Sequence, residues 1–262
     1  GIQARDIPDI RALGAVPVLN TPEQVSLWHA SGGGRCHVMF DSGINRLGIG
    51  PEQMSQCDLG SMDIDLLLSH LASADEDSAQ NEAQQRAFHE QAAVSGAKRL
   101  SLANSAGIML GADYHYDLMR PGLSLYGGIA RSGMEAFIKP VARLSARLLQ
   151  VRTLSAGAPI GYNATHICEN DTTVGTISIG YADGYLRAFS SKGTAHYGEV
   201  GLPVLGRVSM DLVTINISAA PELREGDWVD VEYDLPKVSA LTGLSQYELL
   251  TNLGTRFERI WR

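Results

Sequence analysis

Cysteine, basic residues and long apolar runs are scarce in this sequence, and each shortage argues against a class of protein. Its three cysteines, Cys36, Cys57 and Cys168, lie far apart without a Cys-x-x-Cys pair, which argues against a disulfide framework or a zinc site. Such cysteine usage favours a reducing cytoplasm. The net charge of −8, from 29 acidic and 21 basic residues, argues against a nucleic-acid partner, because such partners require a basic surface. No apolar run approaches the roughly 18 residues that span a membrane, so no membrane partner is expected.

The chain also lacks an initiating methionine and a signal-peptide pattern. It begins at Gly1, and its first residues show no basic stretch followed by an apolar one. We therefore expect that this is not the translated start. With 262 residues, 44% of them hydrophobic, the chain is long enough for one large or two ordinary packed domains.

Residues 1–130 alternate between strand and helix patterns. Short apolar runs that end at polar or glycine-containing turns predict five strands, at Ala15–Leu19, His37–Asp41, Ile64–Leu71, Arg99–Ala103 and Tyr116–Arg120. Helices are expected to start at Thr21 and Pro51, and residues 77–95, rich in Ala, Gln and Glu, predict a long exposed helix. Five βα units in series predict an α/β fold with a parallel sheet. That sheet is either open or a partial (β/α)8 barrel of the TIM type that lacks about three strands at its front.

From about residue 136 the pattern changes to a period of two. Apolar residues that alternate with polar ones are Val213, Ile215 and Ile217, then Val229, Val231 and Tyr233. This alternation predicts a mainly antiparallel β-domain with one solvated face. We place the domain boundary near Gly133–Pro140, which gives domains at residues 1–135 and 136–262. A short helix is expected at Val238–Thr242 or Gln246–Leu250.

Polar side chains follow four of the predicted strands, at the carboxyl ends where parallel α/β proteins bind ligands. They are Arg46 in the loop Asp41–Gly48, Ser69 and His70, Asn104 and Ser105, and Arg120 and Gly122. Two arginines, a histidine and several hydroxyl or amide groups suit an anionic, aromatic ligand such as a phosphorylated pyridine. Taken singly, each has an ordinary structural interpretation: a surface ion pair for either arginine, a structural histidine, a helix cap or a turn. Their shared placement at successive strand ends favours the functional interpretation.

Two further motifs lie in the C-terminal domain. Ile179–Tyr185 reads I-G-Y-A-D-G-Y, and Gly206–Asp211 reads G-R-V-S-M-D. By residue type alone, Asp183-Gly184 indicates a turn, and Tyr181 fits a packing role as well as a chemical one.

Seven motifs in this order resemble those of the alanine racemase family, from near Asp9 to near the C-terminus. They are DSGINRLG at Asp41–Gly48, SHLASADE around His70, ANSAG at Ala103–Gly107, YDLMRPGLSLYG at Tyr116–Gly127, PIGYNAT at Pro159–Thr165, IGYADGYLR at Ile179–Arg187 and GRVSMD at Gly206–Asp211. The resemblance implies a barrel followed by a β-domain and a head-to-tail homodimer. It also implies interconversion of L-alanine and D-alanine with pyridoxal 5'-phosphate (PLP), which supplies D-alanine for peptidoglycan.

The resemblance implies a cofactor site built from the residues at the strand ends. Arg46 would bond the phenolic oxygen of PLP and help to bind substrate, and Arg120 would face the pyridine nitrogen. The phosphate would be served by Ser105, by the backbone amides of Gly122 and Leu123, and by Asn104 nearby.

The resemblance also implies how protons move. Racemisation needs an acid–base on each face of the α-carbon. The family uses the Schiff-base lysine on one face and, on the other, a tyrosine from the partner subunit, here Tyr181. A chain from Tyr181 through His70 to Arg120 would support that role. The amide of Met210 would hold the substrate carboxylate, also across the dimer.

The sequence departs from the family in three places. The family's lysine lies on the first barrel strand in a K-A-[DN]-A-Y-G-H-G segment, but the four lysines here lie in no such context: Lys98, Lys139, Lys192 and Lys237. Met39 stands where some members carry a carbamylated lysine that buttresses the arginine, and Gly254 where many have a phosphate-binding tyrosine. We therefore expect this chain alone to be inactive. The alternative is a non-catalytic PLP-barrel homologue or fragment, while GYADG, GRVSMD and Arg120 disfavour a PLP-dependent decarboxylase.

Overall fold

A computed structural model of the chain describes residues 1–261, which form two compact units. Unit 1 contains Gly1–Ser124 and Ala130–Phe137, and unit 2 contains Leu125–Ile129 and the chain from Ile138 onward. Each unit has its own hydrophobic core. Within residues 1–261, no helix has both the length and the apolar character needed to cross a membrane.

Unit 1 is built around a parallel sheet. Its helices and strands in chain order are α1 (Ile7–Leu13), β1 (Val18–Leu19), α2 (Pro22–Ala30), β2 (Arg35–Met39), α3 (Pro51–Met54), β3 (Asp63–Leu68), α4 (Ala79–Ser95) and β4 (Arg99–Ser101). The strands lie in the order β1-β2-β3-β4, with every neighbouring pair parallel. The predicted start of α2 is confirmed, because Thr21 Oγ1 caps it by accepting a hydrogen bond from the Gln24 amide.

The apolar runs of the strands form the core of unit 1 together with two helices. Val38 of β2 and Ile64 and Leu67 of β3 are at most 1% exposed, and they share one cluster with Trp28 of α2 and Phe88 of α4. Burial of each such side chain contributes about 1.5–3 kcal/mol relative to leaving it in water. This packing fixes the strands, and the strands in turn fix the loops that leave their carboxyl ends.

The predicted fifth strand, Tyr116–Arg120, is wrong as a strand. Tyr116 has a φ of +48°, outside the extended region, and the Asp117 carboxylate accepts a hydrogen bond from the Leu100 amide at 2.8 Å. A single isolated parallel bridge joins Asn104 to Arg120. Arg120 is thus held beside the end of β4 without a continuous strand.

Unit 2 is mainly antiparallel β-structure. Its helices and strands in chain order are β5 (Leu144–Leu154), β6 (Pro159–Ile160), β7 (His166–Ile167), β8 (Thr172–Ile177), β9 (Thr194–Tyr197), β10 (Val200–Pro203), β11 (Val213–Asn216), β12 (Trp228–Val231), α5 (Leu235–Thr242) and α6 (Gln246–Thr251). Six strands form one sheet in the order β10-β9-β12-β5-β8-β11, and β6 pairs with β7. The expected short helix occurs at both of the positions considered.

The period of two predicted for this unit is confirmed. Val213 and Ile215 of β11 are buried while their neighbours in the strand are more exposed, and Val229 and Val231 of β12 follow the same alternation. The buried set packs in one cluster that includes Tyr185 and the helices α5 and α6. The sheet therefore has one face in the core, as the alternation requires.

Candidate active site

Arg120 lies at the carboxyl end of the unit 1 sheet, where neutral groups from two neighbouring strands hold its guanidinium. Its Nη1 donates to Ser101 Oγ at the end of β4, and its Nη2 donates to the carbonyl oxygen of Ser69, which follows β3. None of the ion pairs among residues 1–261 includes Arg120. Burial lowers the pKa of this guanidinium, but an arginine starts so high that it stays protonated at neutral pH.

His70 directly follows Ser69 and is half-buried. Its pKa is lowered, first by burial and then by the positive charges of Arg120 and Arg46. Both guanidinium groups therefore lie close enough to His70 to act on it electrostatically. Because an unperturbed histidine titrates near pH ~6.5, a lowered pKa keeps this ring neutral at pH 7. A neutral imidazole can accept a proton at one nitrogen and donate one from the other.

A carboxylate organises the loop that carries Arg46. Asp41 Oδ1 accepts hydrogen bonds from the successive amides of Gly43–Asn45 at 2.9, 3.0 and 3.1 Å, and its Oδ2 accepts one from the Arg46 amide at 3.1 Å. Gly48 closes the loop with a φ of +135°, and a Cβ there would lie 2.8 Å from the Asp41 nitrogen. Met39, on β2, offers no charge to Arg46. The folded loop, rather than a buttressing lysine, places the arginine.

Ser105 and backbone amides near residue 122 form a small cradle. Ser105 Oγ, on a buried residue, accepts hydrogen bonds from the amides of Gly122 (2.9 Å) and Ser124 (3.3 Å). Leu123, between them, is buried and begins a 3-10 turn. A Cβ at Gly122 would meet no atom within 4 Å, and Ser124 Oγ is buried without a hydrogen-bond partner among residues 1–261. Open space at Gly122 and an unpaired buried hydroxyl fit an anionic group such as a phosphate. Because the Gly122 amide already donates to Ser105, its role at a phosphate stays a prediction.

Asn104 has a structural contact of its own. Its Oδ1 accepts a hydrogen bond from the Gly107 amide at 2.8 Å, at the start of the 3-10 turn Gly107–Leu110. This contact matches the capping interpretation of the residue. A role for Asn104 at a phosphate stays a prediction.

Gln84 is a buried residue beside the site that sequence reasoning missed. The helix α4 was expected to be exposed, yet Gln84 is only 1% exposed. Its Oε1 accepts from the Ala72 amide at 2.8 Å, and its Nε2 donates to the carbonyl oxygen of His70 at 3.0 Å and to Ser42 Oγ at 3.3 Å. One amide thus joins the loops that follow β2 and β3. A signal was present, because Gln84 lies four residues before Phe88 and shares its helix face.

In unit 2, the turns that carry Tyr181 and Met210 are joined backbone to backbone. The Tyr181 amide donates to the carbonyl of Ser209 at 3.0 Å, and the Ala182 amide donates to that of Met210 at 2.9 Å. Gly180 permits this approach, since a Cβ there would lie 2.2 Å from the Met210 oxygen. The Met210 side chain is exposed, and the Met210 amide has no hydrogen-bond partner within residues 1–261. A free amide therefore lies next to the Tyr181 turn.

Arg256 links the same two turns through their carboxylates, and no motif identified it. Its Nε lies 3.0 Å from Asp183 Oδ1, and its Nη1 lies 2.7 Å from Asp211 Oδ1. Asp183 is buried, so the ion pair also satisfies a carboxylate that water cannot fully reach. The Gly254 amide donates to the Asp183 carbonyl at 3.1 Å, and the backbone here packs directly on the Tyr181 turn.

The predicted site residues therefore fall into two sets. Unit 1 carries Arg46, His70, Asn104, Ser105, Arg120, Gly122 and Leu123, and unit 2 carries Tyr181 and Met210. Among residues 1–261 there is no group of three or more His, Cys, Asp or Glu side chains arranged to hold a metal ion. A parallel βα sheet whose carboxyl edge carries polar and charged side chains is typical of α/β proteins with a ligand site at the strand ends.

Comparison with known proteins gives the family. Residues 1–130 match the family described as "Alanine racemase, N-terminal domain", and residues 141–261 match "Alanine racemase, C-terminal domain". The catabolic alanine racemase of Agrobacterium fabrum is 38% identical over 99% of this chain and 71% of its own length, and the alanine racemase of Jannaschia sp. is 39% identical over 99% and 75%. This chain belongs to the alanine racemase family.

Solved structures of alanine racemases share the fold. The enzyme from Bartonella henselae, with covalently bound pyridoxal phosphate, matches with a TM-score of 0.90 and 32% identity, over 99% of this chain and 77% of that one. The biosynthetic alanine racemase of Pseudomonas aeruginosa matches with a TM-score of 0.88 and 30% identity, over 100% and 77%. These similarities confirm the predicted fold class, a partial barrel followed by a mainly antiparallel β-domain.

Proposed function

We propose that this chain forms most of the active site of an isomerase that interconverts L-alanine and D-alanine with PLP. The observation that carries the proposal is the charged Arg120, held by neutral groups at the strand ends beside His70. An arginine facing a pyridine ring cannot give up its proton, so the ring nitrogen stays unprotonated. This arrangement weakens the electron sink and favours simple return of a proton over side reactions such as transamination. We further propose that the enzyme is a homodimer and that its product supplies D-alanine for peptidoglycan.

The polar groups of unit 1 fit such a cofactor. The buried, unpartnered Ser124 hydroxyl and the open space before Gly122 support a phosphate at the Ser105 cradle. The residues proposed to hold the cofactor are Arg120 at the pyridine nitrogen, Arg46 at the phenolic oxygen, His70 between the two arginines, and Ser105, Gly122, Leu123 and Asn104 at the phosphate. When bound to the amino group of alanine, PLP draws electrons from the α-carbon and makes its proton acidic.

Tyr181 is proposed to move the proton on one face of the α-carbon. The Arg187 guanidinium lies 5.3 Å from the centre of the Tyr181 ring, within the range of a cation–π contact. A neutral His70 would accept the proton from the partner subunit's Tyr181. The free amide of Met210 would hold the substrate carboxylate.

The other face of the α-carbon needs a second acid–base, and unit 1 offers no lysine for it at the strand ends. Lys98 is the one lysine of unit 1. Its amide donates to the Ile64 carbonyl, and its Nζ pairs with Asp63 at 2.6 Å, at the amino end of the sheet. Arg120 lies at the opposite end. We therefore propose that the 262-residue chain by itself does not racemise alanine.

The test measures proton exchange and racemisation separately. The 262-residue chain is incubated in D2O with PLP and either L-alanine or D-alanine. NMR follows deuterium at the α-carbon, and chiral chromatography follows the enantiomers. We expect exchange with one enantiomer only and no conversion to the other, because one of the two acid–bases is present. Tyr181→Phe should abolish the exchange, whereas Tyr247→Phe, at an exposed tyrosine of the same unit, should leave it unchanged.

Three outcomes would contradict the proposal. Conversion of L-alanine to D-alanine by the chain alone would show that one of its four lysines acts as the second acid–base. Borohydride fixation of PLP followed by peptide mapping would identify that lysine. Exchange that survives Tyr181→Phe would remove the tyrosine from its proposed role. Exchange at neither enantiomer would favour the non-catalytic alternative.

A further inference from the structure

Ser101 is a buried residue that no motif singled out, and it touches the side chain on which the proposed function depends. It is the last residue of β4 and is 0% exposed. Its Oγ accepts a hydrogen bond from Arg120 Nη1 and donates one to the Leu118 carbonyl oxygen at 2.6 Å. Since a hydroxyl has one hydrogen, its use at Leu118 leaves only oxygen lone pairs to face Arg120.

The other contact of Arg120, with the carbonyl oxygen of Ser69, is also neutral. Buried charges are usually paired with an opposite charge, yet no ion pair within residues 1–261 includes Arg120. Two dipoles therefore hold the guanidinium in place and leave its charge uncompensated. That charge reaches His70, where it acts after burial as a cause of the lowered pKa.

We propose that Ser101 is a positioning residue that fixes Arg120 at the carboxyl end of the sheet without cancelling its charge. A carboxylate in place of the hydroxyl would hold the guanidinium as firmly but would neutralise it. An apolar side chain would leave an N–H unpaired and free the arginine to turn toward water. A hydroxyl avoids both effects. One consequence rests on the proposed function, namely that Arg120 meets the pyridine nitrogen of PLP in a fixed orientation with its charge intact.

The first experiment needs no cofactor. NMR titration follows the His70 ring in the ligand-free 262-residue chain, with the resonance assigned by its loss in His70→Gln. Ser101→Ala should raise the pKa of His70 toward its ordinary value, because the released Arg120 moves away, and Ser101→Thr should keep it low. Ser101→Asp should raise it further, because the new carboxylate adds a negative charge. Ser101→Cys, close to serine in volume and a weak acceptor, repeats the alanine test should that variant not fold.

The control is Ser95→Ala, at another buried serine of unit 1, whose hydroxyl donates to the Ala92 carbonyl within α4. It should leave the titration of His70 unchanged. A His70 pKa that stays at the wild-type value in the alanine and cysteine variants would overturn the inference. Equal shifts in the alanine and threonine variants would do the same, because the hydroxyl would then be irrelevant.

The second experiment measures equilibrium binding of PLP by fluorescence. Ser101→Ala and Ser101→Asp should weaken binding about tenfold, the effect of losing roughly 1.4 kcal/mol, and Ser101→Thr should bind as the wild type does. Wild-type affinity for PLP in both Ser101→Ala and Ser101→Asp would contradict the positioning role. If the wild-type chain binds no PLP while the His70 shifts appear as expected, the proposed function fails and the anchoring of Arg120 stands.

Discussion

Replacement of Gln84 by methionine tests whether one buried amide holds two loops of the site together. Methionine has a similar length and shape and a similar helix propensity, but it cannot pair with the Ala72 amide or the His70 carbonyl. Both bonds are short, at 2.8 and 3.0 Å. A polar group left unpaired in a partly buried place costs about 1–3 kcal/mol. We therefore expect Gln84→Met to lower the free energy of unfolding of unit 1 by about 2 kcal/mol.

Urea denaturation followed by Trp28 fluorescence provides the measurement. Trp28 is buried in unit 1, whereas Trp228 and Trp261 are exposed, so Phe replaces the last two in every protein compared. With an m-value of about 2 kcal/mol per molar urea, the expected loss moves the midpoint down by about 1 M. The m-value itself should not change, because methionine fills the same space.

The matched control is Gln85→Met, one residue further along the same helix. Gln85 is half-buried, and its one side-chain contact, to the Tyr116 hydroxyl, is long at 3.4 Å. Its replacement should change the stability by less than about 0.5 kcal/mol. Equal midpoint shifts in the two variants would refute the reasoning, because helix packing and not the Gln84 bonds would then account for the loss.

The remaining predictions concern pH and the turns of unit 2. Gln84→Glu should lower the free energy of unfolding more than Gln84→Met does at pH 7, and its effect should be smallest below pH ~4. Burial raises the pKa of the new carboxyl above its unfolded value, so the penalty disappears once the carboxyl is protonated. Urea midpoints measured across pH check this. Hydrogen bonds from Arg99 and Arg35 hold the pKa of Asp65 well below its ordinary value. Asp65 thus stabilises the fold above pH ~4 and loses that effect as the pH falls further, so the Tm difference between wild type and Asp65→Asn should shrink in acid. Arg256→Ala should speed hydrogen exchange at the Tyr181 amide, with Arg256→Lys intermediate, because only a guanidinium can bond both carboxylates at once; an unchanged exchange rate would remove Arg256 as the link between the turns.

Strand positions could be predicted from the sequence because they depend on local composition. The apolar runs that contain Val38, Ile64 and Leu100 lie in β2, β3 and β4, and the strand ends carry His70 and Ser105 as expected. The run Tyr116–Arg120 has a similar composition but is not a strand. Its backbone is set by contacts with the β4 region, among them the Asp117 carboxylate on the Leu100 amide and the Asp117 and Leu118 amides on the Leu100 carbonyl, and composition does not encode such contacts.

Side-chain partners were much harder to predict than positions. Arg120 was predicted at the end of a fifth strand, but it lies beside the end of β4 without a strand of its own. Its anchors, Ser101 and the Ser69 carbonyl, depend on the spacing and twist of two neighbouring strands. Arg256 bonds to Asp211, which lies 45 residues away along the chain, and its own segment has no periodicity. Gln84 was the one missed residue with a local signal, since it shares a helix face with Phe88.

Five buried polar residues at or beside the strand ends of unit 1 have a common physical logic. Ser42, Ser69, Gln84, Ser101 and Ser105 are each less than 10% exposed, and each bonds to a neighbour at the strand ends or to a loop that follows them. All five are neutral. A carboxylate that faced the guanidinium of Arg120 would compete for its charge and repel an anionic ligand, whereas the Asp41 carboxylate bonds only to backbone amides of the Arg46 loop. Hydroxyl and amide groups satisfy the buried backbone instead and leave the field of the arginines intact.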